Sequence, residues 1–306
     1  MINAINSSIN PVRTLPKSDW ELDFYSRSPI DTNDKKCWEL IICSTPSISI
    51  TGPSAYFRWE MPCPSESVNS LWLKEALGQA IDSALEQGFS SPRRLRSWRS
   101  SMRIMIQRAV ESFGIEFVPS RRCYTLMEWI KDREIQIYSS QKNMSTNIGV
   151  IPSTRTQFRA IPLPTAAQGD SWSWASLPMN ILQEASNWEI SFSGLLPLPI
   201  FNEKQKEIMI PGVRLLSLSR SLAIAGWIQG LEPVRLEICE TQLVLEAGLE
   251  DRWLLTDLPI EEALVANEAF TKARMNAFGV QFLAVQSDPN QRGFDGLWML
   301  RNTEGI

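Results

Sequence analysis

Along the first third of the chain, apolar and polar positions follow a strand-like rhythm and then change to a helical spacing. Three stretches, WELDFYSR (Trp20 to Arg27), KCWELIICS (Lys36 to Ser44) and AYFRWEMPC (Ala55 to Cys63), are rich in aromatic and β-branched residues. Pro, Asn, Asp and Gly cluster between them, so a meander of three strands is predicted. A helix should follow from Asn69, as its N-cap, to Gln87. Its positions Leu73, Ala76, Leu77, Ala80 and Ala84 draw one buried stripe, and Gly88 is placed to end it. A second helix is expected from Ser97 to Phe113, where Trp98, Met102, Met105, Ile106, Ala109 and Phe113 recur at helical spacing. Arg96, Arg99 and Arg103 fall beside one another along its edge; Gly114 stops it, and IEFV reads as a short strand.

From Tyr138 to about Asp170 the pattern dissolves into Ser, Thr, Pro and Gly without period, which marks a linker. The second half then repeats the grammar of the first. Val234 to Glu240, Gln242 to Gly248 and Asp251 to Leu258 are three close-spaced strands, and Asp257 is placed to cap a helix from Ile260 to Phe278 with Glu261 and Glu262 in its first turn. Phe278-Gly279 leads into VQFLAVQ as Phe113-Gly114 leads into IEFV, and GLWMLR reads as a terminal strand. The expected fold is mixed α/β, with two related β-β-β-α-β units, an order shared with restriction-endonuclease-like cores. The expected organisation is a flexible N-terminus (1–18), an N-terminal α/β domain (19–138), a linker (139–170) and a C-terminal α/β domain (171–306).

Composition narrows the chemistry. The 306 residues are 43% apolar and 21% charged, ordinary for a globular protein, and no apolar run approaches the length of a membrane span. Residues 1–18 hold no apolar block and only Arg13 and Lys17 as charges, so neither a secretory signal nor an Arg-rich transit peptide is expected. A cytoplasm-like compartment follows. Five cysteines (37, 43, 63, 123 and 239) form no CxxC pair and read as free thiols, not a disulfide framework or a zinc ribbon. The chain has no histidine, which removes His-activated nucleophiles and His-ligated metals. No cofactor and no metal is expected.

Charge is unevenly placed. The whole chain carries −4, yet residues 91–122 hold eight arginines against Glu111 and Glu116, so the remainder sums to −10. Arg93, Arg94, Arg96, Arg99 and Arg103, with Arg121 and Arg122, are candidates for a patch that holds a phosphate backbone, because the guanidinium fork binds phosphate oxygens in two-point fashion. The other reading is that these arginines lie along the apolar stripe or pair with acids of the other domain. An acidic remainder repels polyanions in general and confines any nucleic acid to the patch. Asp23 and Glu39 sit on strands suited to a Mg²⁺ nuclease, but Ile41 stands where the metal-site lysine would follow Glu39, and Glu246 likewise lacks one. The tryptophans of the repeated WE pairs, at 20, 38, 59 and 188, read as core. Trp298 and Arg301 near the chain end suit a stacked base beside a guanidinium, or a strand that closes the sheet.

The stretches WELDFYSRSPIDTNDKKCWELIIC, VNSLWLKEAL, FGIEFVPSRR, IPGVRLLSLSRSLAIAGWIQGLE, GVQFLAVQ and LWMLRN together resemble the Tab/Atab family of oxygenic phototrophs, in the same order from Trp20 to Arg301. Its plant and algal members are RNA-binding factors required for translating photosystem I reaction-centre messages. The resemblance implies a cyanobacterial-type member that binds single-stranded RNA in a photosystem message leader, with the ribosome or other translation factors as further partners and no catalysis. It implies a cytoplasmic location, or the chloroplast stroma for plastid relatives. The family's Trp-Leu-Leu tripeptide, associated with RNA binding, maps onto Trp298, Met299 and Leu300, with methionine in the middle place. An assembly factor that docks on a protein partner is the rival class, and a Mg²⁺ nuclease using Asp23 and Glu39 the second.

Overall fold

The computed structural model of the protein describes residues 19–30, 36–45, 56–140, 159–181, 205, 207–290 and 293–302. The expectations for residues 1–18, for Trp188 and for most of the 139–170 segment fall outside them.

Strands β1 (Asp19–Ile30), β2 (Lys36–Ser44) and β3 (Arg58–Cys63) form the predicted antiparallel meander, and β4 (Arg94–Ser97) and β5 (Glu116–Pro119) extend it in parallel to β1, giving the order β3-β2-β1-β4-β5. Side chains alternate across a strand. Trp20, Leu22 and Phe24 therefore enter one core with Leu40, Ile42 and Leu95, while Asp19, Glu21 and Asp23 point to the opposite face. That core is closed by α1 (Ser70–Glu86) and α2 (Arg103–Val110). The α1 stripe is the predicted one, and Asn69 caps it, its Oδ1 accepting from the amides of Leu71 (3.0 Å) and Trp72 (2.9 Å). Gly88, at φ +82°, turns the chain away after the helix.

The expected helix from Ser97 to Phe113 is four pieces. Arg94–Ser97 is strand, Ser100–Met102 is a 3₁₀ turn, and only Arg103–Val110 is α-helix before a second 3₁₀ turn at Glu111–Phe113. A four-residue strand with one apolar residue, Leu95, shows no readable alternation, and its pairing to β1 overrides the helical spacing beyond it. A helix the periodicity does not announce, α3 (Tyr124–Ser140), covers the acid-bearing face of the sheet through Leu126 and Trp129, which pack on Ile41 and Cys43.

The second half holds two four-stranded sheets. One orders β6 (Ile161–Pro162), β11 (Asp251–Asp257), β10 (Gln242–Ala247) and β9 (Pro233–Cys239); the other orders β13 (Gly296–Arg301), β12 (Val280–Gln286), β8 (Met209–Leu216) and β7 (Ser171–Pro178). Helices α4 (Ser221–Leu231) and α5 (Ile260–Asn276) pack on them through Ile224, Ile228, Ala263 and Phe270. The order β-β-β-α-β thus recurs, from β1 to β4 and from β9 to β12. The pairing differs: β4 lies parallel to β1, whereas β12 lies parallel to β8 in the neighbouring sheet. Part of the segment read as linker forms β6, which pairs with Trp253 and Leu254. Asp257 does not cap α5. Pro259 is the N-cap residue, without a side-chain bond, and Asp257 instead accepts from Gln242 Nε2 at 3.2 Å across the strand pair. Cys43, Cys63, Cys123 and Cys239 are free thiols, the first three buried. Among the described residues, no helix is long and apolar enough to cross a membrane.

Candidate nucleic-acid interface

The acid face of β1 explains the first half of the arginine segment. Asp19, Glu21 and Asp23 are covered by α3 and by the second half, and buried carboxylates need charged or hydrogen-bonding partners. Strand β4 and the residues just after it supply arginines to Asp19 and Asp23, while Glu21 accepts from the Leu126 amide and the Thr45 hydroxyl. Arg96 donates to Asp19 Oδ2 (2.7 Å) and to both carboxylate oxygens of Glu232 (2.7 and 3.1 Å) in the second half. Arg94 donates to Glu116 at 3.0 Å and lies 3.9 Å from Glu232. Arg99 binds Asp23 with two 2.7 Å bonds, its guanidinium 4.4 Å from the centre of the Trp98 ring.

Past β5 the pattern continues into the second half. Arg121 reaches Glu246 at 3.0 Å, a carboxylate that Arg235 also holds at 2.8 Å. Arg122 is buried and donates to the carbonyls of Pro233 (2.7 Å) and Met299 (2.9 Å), while the Tyr124 hydroxyl donates to the Val234 carbonyl at 2.6 Å. Glu128 of α3 accepts from Arg301. Of the seven arginines assigned to a phosphate patch, Arg94, Arg96, Arg99, Arg121 and Arg122 are thus engaged inside the molecule. Arg103 is exposed with no ion pair among the described residues. Arg93 is 61% exposed, with Asp19 at 3.4 Å. Arg108, on the exposed side of α2, is a third open cation.

The C-terminal tripeptide lies deeper still. Trp298 is 1% exposed and donates its indole N–H to Gln229 Oε1 at 2.7 Å; Met299 and Leu300 are buried on either side of β13. These three side chains pack the second half together. Arg301 is half-buried at the strand's end.

Electrostatics follow from this burial. Burial raises the Glu21 carboxyl to about 7, against the lowering effects of the Leu126 amide (2.8 Å) and nearby Arg96. Asp23 is raised for the same reason, in spite of Arg99. At Glu232 burial pushes the same way, but the bonds from Arg96 outweigh it and the carboxyl lies below its usual range; Arg235 and Arg121 do likewise for Glu246. The two acids weighed for Mg²⁺ are occupied: Asp23 by Arg99, and Glu39 by the Tyr25 hydroxyl and by Arg133 at 3.0 Å. No group of three potential ligand residues is arranged for a metal among the described residues. Glu232, Arg235 and α3 are the partners that sequence reasoning missed. The alternation in DWELDF nevertheless signals that three acids share one face.

The molecule is therefore a two-part mixed α/β protein whose halves are joined by buried ion pairs. Residues 19–133 match the N-terminal domain, and 151–301 the C-terminal domain, described for the RNA-binding protein Tab2/Atab2. The chain belongs to that family. It is 32% identical over 290 residues to the chloroplastic protein TAB2 homolog of Zea mays, covering 92% of this chain and 71% of the relative. It is 29% identical over 294 residues to that of Arabidopsis thaliana, covering 92% and 74%. Among solved structures, the HTLV-2 integrase catalytic core domain with magnesium is similar over 44% of this chain and 79% of its own, at 12% identity and a TM-score of 0.26, too weak to bear on function.

Proposed function

We propose that the protein binds single-stranded RNA in the 5′ untranslated region of a photosystem message, chiefly that of a photosystem I reaction-centre subunit, and promotes its translation without chemistry of its own. The observation that carries this reading is that both halves match, in order, the two domains of an RNA-binding family. Cations left open by the fold, Arg93, Arg103 and Arg108, hold phosphates; Arg94, Arg96, Arg99, Arg121 and Arg122 shape the surface from beneath. Trp298, Met299 and Leu300 support it by packing, and Arg301 by its bond to α3. The ribosome or other translation factors are the further partners in this reading, in a cytoplasm- or stroma-like compartment.

The test is binding to a labelled photosystem I leader against a scrambled RNA of equal length across a salt series. Preference for the leader is expected. Each phosphate contact contributes a slope of about −0.7 in log affinity against log salt, so Arg93→Glu/Arg103→Glu/Arg108→Glu should flatten the line. Equal weak binding of both RNAs, unchanged in that variant, overturns the reading.

A further inference from the structure

Helix α5 turns a row of large apolar side chains to solvent. Ile260 is 75% exposed, Leu264 74% and Met275 69%; Val265, 68% exposed, lies further round the helix, on the far side of Glu261 and Glu268. With Thr271 between, the spacing from Ile260 is four, seven and four, which places these residues on one line along about 22 Å of helix. The inward face is separate: Ala263 and Phe270 fill the core. Beyond that inward face the helix exposes an adjoining apolar pair, Ile260 and Leu264, with Met275 further along the same line after Thr271, and its own core uses none of the three. Next to the outer ridge run Glu261 and Glu268, with Glu262 also exposed; the one exposed cation on the helix is Lys272, since Arg274 is half-buried and donates inward to the Leu236 carbonyl. Glu261 and Glu262 also favour the helix N-terminus, and Glu268 stands four residues before Lys272, a spacing at which the two attract; with three glutamates against one lysine this side of the helix stays net acidic.

We propose that this face of α5 is a docking site for a protein partner presenting a basic amphipathic helix. The ridge would bury against the partner's apolar stripe, as in helix-in-groove recognition, and the glutamate row would select lysine or arginine flanks. The same glutamates repel a polyanion, which sets this face apart from the surface that holds RNA. The inference rests on α5 and stands whether or not the RNA reading does.

Two designed helical peptides of roughly 18 residues, long enough to hold several turns, test it. Both carry a leucine stripe; one has lysine flanks and the other glutamate flanks. Binding to the full chain is read by fluorescence anisotropy, with sedimentation for stoichiometry and thermal melts to verify folding. The lysine peptide should bind one to one, and Leu264→Glu should weaken it about tenfold or more. Glu261→Lys/Glu268→Lys, which leaves the ridge in place, should reverse the preference between the peptides. Equal binding of both peptides, binding of neither, or no effect of Leu264→Glu overturns the proposal. So does self-association abolished by Leu264→Glu, which would make a second copy the occupant, and so does one-for-one displacement of the peptide by leader RNA.

Discussion

Arg96 grips both carboxylate oxygens of Glu232, 136 residues further along the chain, and the same guanidinium holds Asp19 at the start of β1. All three side chains are largely out of water, so the pair is a junction and not a surface ornament. Removing one partner of a buried pair leaves an uncompensated charge, which costs about 3–5 kcal/mol. Arg96→Ala and Glu232→Gln should each lower stability by that order in urea unfolding. Glu232 also sits at φ +57°, a left-handed conformation that glycine adopts without strain. Glu232→Gly should therefore be less destabilising than Glu232→Ala, although both lose the ion pair.

Glu21 gives the opposite pH signature to Glu232 and Glu246. Its folded carboxyl is raised from 4.5 to about 7, so the native state binds the extra proton between those values. Stability contributed by the neutral form is present at low pH and is lost as pH rises through that window, by roughly 3 kcal/mol. Asp23, also raised, acts with the same sign. Glu232 and Glu246 are lowered, so their contribution is lost as pH falls below the ordinary carboxylate range. Chemical denaturation at intervals from pH 4 to 8 should show the fall, and Glu21→Gln should flatten its upper part; an unchanged profile in the variant would show that Glu21 does not carry it.

Local pattern made β1 to β3, α1 with its Asn69 cap, β9 to β11 and the terminal strand readable, because each satisfies its own period and turn chemistry within a short window. The destination of the arginines was not readable. Glu232 and Glu246 lie 136 and 125 residues from Arg96 and Arg121, and no local rule names a partner at that distance. A basic window looks the same whether its charges face RNA or the acids of another element. The acids at 19, 21 and 23, two residues apart within a strand, were the available sign that one sheet face required cations. Helix α3 escaped notice because it lies between an acid-bearing sheet and the second half, so its buried surface includes polar Thr125 and does not stand out as an apolar stripe.

Gly212 marks a close approach between β8 and β12. It pairs with Phe282, and a methyl group at position 212 would lie 2.4 Å from the ring. Overpacking of this kind costs about 1–3 kcal/mol. Gly212→Ala should lower the denaturation midpoint by a corresponding amount, and Phe282→Leu in the same background should recover part of it. An additive double mutant would show that the ring is not what the methyl group meets.

The C-terminal tripeptide separates packing from contact. Trp298 fills the second core and its indole N–H is satisfied by Gln229, so Trp298→Ala removes both and should cost about 3–5 kcal/mol. Trp298→Phe keeps much of the volume but leaves the Gln229 amide oxygen without its donor, a loss of about 1–3 kcal/mol. Met299→Leu changes shape at nearly constant volume and should cost less than about 1.5 kcal/mol. If the three side chains support the RNA surface only from beneath, Met299→Leu and Trp298→Phe should bind the leader as the parent does once affinity is expressed per folded molecule. Trp298→Ala should lose binding in step with unfolding. A fully folded Trp298→Phe with sharply weaker leader affinity would instead place the indole at the RNA, and β13 would then have to separate from its core for that contact to form.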